Sequence, residues 1–154
     1  MTRAEQYAWL SLVTLGTIYA WFQMRMLDGW RVVDQPASEL LWVYFVVLGL
    51  SAAAEIAIAA FLDARKDKRI ERDERDLAIA ARAGEHERLF IIIAVNVLIW
   101  QALWEGAMED HRLPKIDVTN LPTLFFVLFT ILFVGEAVKR LSTIWLYRLQ
   151  SVRG

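Results

Sequence analysis

Leu40–Leu62 reads LLWVYFVVLGLSAAAEIAIAAFL, with Glu55 its single charged residue. A hydrocarbon core about 30 Å thick is crossed by about 20 residues of helix rising about 1.5 Å each. This stretch therefore has the length and the lipophilicity of a membrane span. The rest of the chain follows the same division. Of its 154 residues 57% are hydrophobic and 23% charged, with a net charge of −1 and a mean hydropathy of +0.37. The two classes separate into blocks instead of mixing at helical or strand period.

Three further blocks match the first. Gln6–Met24 holds no Asp, Glu, Lys or Arg; Leu89–Met108 holds one, Glu105; Leu121–Leu141 is interrupted only near its end, by Glu136, Lys139 and Arg140. Arg3 ahead of the first block resembles the start of a signal peptide. However, the apolar run is long for that role and no clear small-x-small cleavage site follows it. The sequence thus predicts an all-α fold, an integral membrane four-helix bundle forming a single domain over 1–154. The expected spans are about 6–26, 40–62, 89–108 and 121–141, joined between the second and third by a charged helical connection, 63–88.

Orientation comes from the basic residues outside the spans. If both termini lie on the side of the charged connection, that side carries thirteen Lys/Arg and the other four: Arg25, Arg31, Arg112 and Lys115. The expectation is a multi-pass protein of a prokaryotic cytoplasmic membrane with both termini inside. Aromatic residues prefer the headgroup level, and they agree. Trp21, Trp30, Trp42, Trp100 and Trp104 fall near the outer boundary, and Tyr7, Trp9, Trp145 and Tyr147 near the inner one. Pro36, Pro114 and Pro122 sit in or beside the two outer connections, where helices stop and restart. Thr119 and Asn120 are candidate caps of the last helix.

The chain has no cysteine, which removes disulfides, thiolate catalysis, Cys-ligated zinc and iron–sulfur clusters. No glycine-rich phosphate loop, G-x-S-x-G or H-E-x-x-H motif is present. His86 and His111 fall on opposite sides of the expected bilayer and cannot share one haem within a protomer. No enzyme activity, cofactor or nucleic-acid partner is expected.

From Asp63 to Arg88 there are eight Lys/Arg and eight Asp/Glu, no proline, and one glycine, Gly84. Opposite charges three or four apart, such as Glu71 with Arg75 and Glu85 with Arg88, favour a helix. The chain must reverse between Lys66 and Asp76. Ile70, Leu77, Gly84 and Ile91 recur at sevens, and Ala80, Ala81, Ala83 and Gly84 permit close approach. Leu77 and the Ala80/Gly84 surface are therefore expected to pack, on the other helix ends or on a second copy.

Within this segment RDERDLAIAARA, placed between the second and third spans, resembles the signature of the DUF2178-type small prokaryotic four-helix membrane proteins. Those carry a D-E-R-D segment followed by an Ile and an Ala at similar offsets. A lysine expected just before the final alanine is replaced by Arg82. The resemblance implies the four-helix architecture and, the family having no assigned activity, no mechanism. Asp73, Glu74 and Asp76 could serve a hard cation or, with Leu77 and Gly84, a docking partner. Consecutive helical residues point to different sides, so a cation would need ligands from elsewhere. The bland alternative is a solvated, salt-bridged helix entry.

Polar residues inside spans are functional candidates by default. Glu55, Asn96, Glu136 and Thr14 fall at similar depth, one on each helix. They form a possible ion or proton site, or alternatively interhelical glue. Glu55 leads, because Ser51, Ala52 and Ala59 beside it are small and let its face approach other helices. It is expected to meet Asn96 or Thr14. Glu136 has Lys139 and Arg140 close by to neutralise it. At the outer end Gln101, Glu105 and Glu109 share a face, with Asp110 and His111 following; an exposed helix end is the default there. The sequence reading is a non-enzymatic membrane protein acting through protein contacts, an oligomeric or regulatory subunit with the charged arm as docking element. The alternative is a small cation- or proton-coupled transporter or channel using Glu55.

Overall fold

The computed structural model describes residues 3–64, 74–107 and 117–152. Four long helices carry the fold: α1 (Arg3–Met26), α2 (Ala37–Ala64), α3 (Glu74–Ala107) and α4 (Leu121–Val152). The described residues add one small hairpin between α1 and α2, β1 (Leu27–Asp28) with β2 (Arg31–Val32). Its turn uses Gly29 at φ 62°, a left-handed conformation that glycine adopts without steric cost. The turn reverses the chain within a few residues. Val33 N–H then donates to the Met26 carbonyl at 2.8 Å, and the Gln35 amide donates to the Arg25 carbonyl at 3.1 Å. Both satisfy carbonyls left over at the end of α1. Across the same junction Arg25 pairs with Glu39 at 3.1 Å.

α2 begins directly after Pro36, whose carbonyl accepts from Glu39 N–H and Leu40 N–H. At α4 the Asn120 carbonyl takes the first helical bond, from Leu124 N–H at 2.9 Å. Ahead of it the Asp117 carboxylate accepts from the backbone and hydroxyl of Thr119. Pro122 occupies the first turn, where a missing N–H costs nothing.

Of the four helices, α2, α3 and α4 are long and apolar enough to cross a membrane. α1 is not among them. Three of the four expected spans are thus long and apolar enough; in α1, Gln6, Ser11, Thr14, Thr17 and Gln23 dilute the hydropathy. Ala8, Ser11, Ile18, Phe22 and Met26 are buried against protein, so less of α1 needs to be lipophilic. By contrast α2 exposes Leu41, Phe45, Leu48, Ile56 and Phe61, and α3 exposes Ile92, Ile93, Val97, Trp100 and Leu103. At about 1.5 Å per residue α3 and α4 are each roughly 50 Å long, so both outreach a 30 Å core by about 20 Å.

The main core lies toward the hairpin. Phe22 is fully buried, with Ile18 and Met26 one turn to either side, and it meets Leu40, Val43 and Val47 of α2 and Phe133 of α4. Its ring stacks on Phe126 at 5.8 Å and on Phe129 at 5.5 Å. Trp21 and Trp42 also meet at this end, 6.1 Å apart.

α3 packs principally along α4, antiparallel, on the flank of the α1–α2–α4 group. Partners run down one helix and up the other: Tyr147 with Asp76, Ser142 with His86, Lys139 with Glu87, Gly135 with Ile91. The charged segment from Glu74 onward is thus continuous with the third apolar stretch in one helix of 34 residues. Of the two alternatives for its packing surface, the other helix ends or a second copy, the described residues do not supply the first. Ile79 and Ala83 are the buried pair, whereas Leu77 is 55% exposed. A Cβ on Gly84 would meet no atom within 4 Å among the described residues. Positions 79 and 83 lie one turn apart, so they face α4 together, and the sevens through Leu77 and Gly84 run along the face turned away from it. Ile70, with Lys66 and Asp67, lies outside the described residues.

Candidate functional site

α1 and α2 run antiparallel, which sets Tyr7 and Ser11, one helical turn apart, opposite Glu55 on α2. α4 brings Glu136 and Arg140, also one turn apart, to the same level. The Glu55 carboxylate accepts from the Tyr7 hydroxyl on one oxygen. On the other it accepts from Ser11 Oγ at 2.7 Å and from Arg140 Nη2 at 3.2 Å. The guanidinium also donates to Glu136 at 2.6 Å and stands 4.9 Å above the Tyr7 ring. Lys139 extends the series, 3.5 Å from Glu136 and 3.0 Å from Glu87 of α3.

Three carboxylates and two cations thereby link α2, α4 and α3 in one line, Glu55–Arg140–Glu136–Lys139–Glu87. Arg140 is its hinge, with a side chain only 15% exposed. In a weakly polar interior such pairs hold each other firmly, and removing one partner strands the other. Further along the same end, the Tyr147 hydroxyl donates to Asp76 at 2.6 Å and His86 Nδ1 lies 3.0 Å from Ser142 Oγ.

Beside this network a cavity of about 620 Å³ lies between α1, α2 and α4. Its apolar wall comes from Ile18, Val47, Leu132 and Phe133, and Tyr44 meets Phe129 edge-on at 5.9 Å. Its polar end has Ser11, Thr14, Ser51, Glu55, Glu136 and Arg140. α1 forms the floor. α2 and α4 meet only sparsely, which leaves the side opposite α1 open. The Glu55 side chain, although three times hydrogen-bonded, keeps 41% of its surface exposed.

The predicted polar layer is therefore assembled in part. Glu55 and Glu136 are joined through Arg140, and Thr14 lines the cavity while its hydroxyl donates to the Leu10 carbonyl at 2.9 Å. Asn96 is not brought in. Its amide donates to the Ile92 carbonyl of its own helix at 2.8 Å, and α3 lies beyond α4 from the cavity. The expected meeting of Glu55 with Asn96 or Thr14 is replaced by Tyr7, Ser11 and Arg140. A signal for the first two was present, a hydroxyl pair one turn apart on an otherwise apolar face of α1. Arg140 was hidden behind its local pairing with Glu136.

On the arm, Asp76 is engaged by Tyr147 and Glu74 is exposed. Asp73 lies outside the described residues, as do Glu109, Asp110 and His111 of the outer cluster. Among the described residues no group of three or more His, Asp or Glu is placed to hold a metal ion. Compared with protein families, with curated proteins and with solved structures, the chain finds no match.

Proposed function

We propose that this chain is a non-enzymatic, multi-pass protein of a prokaryotic cytoplasmic membrane, of the DUF2178 type, with both termini on the cytoplasmic side. It works through protein contacts, as an oligomeric or regulatory subunit, and the charged end of α3 is its docking element. The supporting observation is the outward face of that end. Leu77, Ala80 and Ala81 are exposed at helical spacing, with Gly84 next along the strip, while the opposite face is already occupied by α4. A strip of small residues beside one exposed leucine lets a second helix approach closely. The test is the size of the protein in detergent or nanodiscs. Gly84→Leu should lower the oligomeric state, and an unchanged state would remove the docking role.

A second reading has its own observation. Glu55 presents part of its carboxylate to a cavity, the arrangement a cation- or proton-coupled transporter requires. Flux into proteoliposomes, compared with Glu55→Gln, decides it. Loss of a pH-dependent flux supports transport, and absence of flux in the unaltered protein removes it.

A further inference from the structure

The cavity between α1, α2 and α4 combines three features. First, its volume of about 620 Å³ lies within the 300–1,000 Å³ typical of small-molecule sites. Second, the ionic line bordering it is unbalanced in charge, since among the described residues Glu55, Glu136 and Glu87 share two cations, Arg140 and Lys139. Among the described residues the Glu55 oxygen bonded to Tyr7 has a single donor, against two on its neighbour. A carboxylate oxygen accepts about two, so part of the Glu55 charge stays uncovered by donors, and a cation without N–H or O–H can meet it by charge alone.

Third, the remaining wall is aromatic as well as aliphatic, with Tyr44, Phe129 and Phe133 lining it. Ring faces attract cations, most strongly where water is excluded. A surplus negative charge, rings and an apolar wall open on one side define a ligand. It is a cation whose charge is wrapped in hydrocarbon. A free metal ion is disfavoured, because a single carboxylate with capacity to spare cannot replace its hydration shell. An anionic amphiphile is disfavoured by the two carboxylates.

We propose that this cavity binds lipophilic organic cations of the quaternary ammonium or phosphonium class, entering from the open side between α2 and α4. The proposal goes beyond the protein-contact reading and concerns occupancy, so it stands whether or not flux is found.

The probe is tetraphenylphosphonium, titrated into the full-length protein in nanodiscs by equilibrium dialysis, with tetraphenylborate as the anion of matching shape. Saturable binding of the cation, at least about tenfold tighter than the anion, is expected. Glu55→Gln should abolish that preference. Leu132→Trp, at a lining position already 55% exposed, should fill the cavity and weaken cation binding by about tenfold while the helical circular dichroism signal is unchanged. Equal binding of the two ions would reduce the cavity to a groove for acyl chains and overturn the proposal. So would full cation binding by a folded Leu132→Trp protein. Because oligomer size is measured separately, failure here and failure of the docking role are distinguishable.

Discussion

The Tyr147 hydroxyl of α4 donates to Asp76 of α3 at 2.6 Å, joining positions 71 residues apart in the chain. The bond sits at the far end of both helices from the aromatic core, where Asp76 opens the first turn of α3. A carboxylate is favourable at a helix N-terminus, and here it also clamps the two helices. Tyr147→Phe removes the donor and keeps the ring. Loss of a hydrogen bond to a charged group costs about 1.5–3 kcal/mol. Unfolding in mixed detergent should show a loss of that order, and a double-mutant cycle with Asp76→Asn should recover most of it as coupling. Additive effects would mean the pair is not a clamp.

Gly135 and Gly84 should respond in opposite senses to the same change. A Cβ at Gly135 would lie 2.9 Å from Ile91 Cγ1 and 3.1 Å from its Cδ1, so α3 must shift or Ile91 must change rotamer. Overpacking of this kind costs about 1–3 kcal/mol. Gly84→Ala meets open space among the described residues and removes a helix-interior glycine, a gain of about 0.5–1 kcal/mol. Thermal inactivation of the two variants in one detergent should move apart. Equal shifts would deny the close approach of α3 to α4.

Arg140 should matter more than Glu55. Arg140→Gln leaves Glu55 and Glu136 facing each other without their shared cation, and breaking a buried pair this way costs about 3–5 kcal/mol. Glu55 is 41% exposed, which places this case between a buried pair and an exposed one, at about 1–3 kcal/mol. Glu55→Gln keeps Arg140 paired with Glu136 at 2.6 Å and should cost about 1 kcal/mol or less. Recovery of folded protein after purification gives the ranking, and the reverse order would mean that Arg140 is not the hinge of the network.

The proposed orientation, with both termini and the charged connection on the cytoplasmic side, rests on thirteen Lys/Arg against four. Since the chain lacks cysteine, single cysteines report without background. Pro36→Cys should react with an impermeant maleimide in intact cells, and Arg75→Cys should react only after lysis. Labelling of position 75 in intact cells would invert the arrangement.

Much of this was legible in the sequence. Four helices at roughly the right places follow from block composition, because each segment's own apolar content sets its tendency, but the small hairpin after α1 and the run of α4 to Val152 do not. What remained hidden was which helix faces which. Asn96 was assigned a depth close to that of Glu55, yet α3 lies on the wrong side of α4, and depth carries no information about that. Leu77 with Gly84 and Ile79 with Ala83 are both valid helical faces. Only the partner helix selects between them. Arg140 reads as the local neutraliser of Glu136, and it is that, but one guanidinium has donors enough for a second carboxylate.

The Glu55–Arg140 pair also fixes an order of events as the chain is made. Arg140 follows Glu55 by 85 residues, so α2 is synthesised, and can leave the ribosome, long before its ionic partner exists. Tyr7 and Ser11 precede Glu55 by 48 and 44 residues and are already in place. The α1–α2 hairpin can therefore hold the carboxyl by hydroxyl donors during biogenesis, and α4 replaces that provisional arrangement with an ionic one when it arrives last.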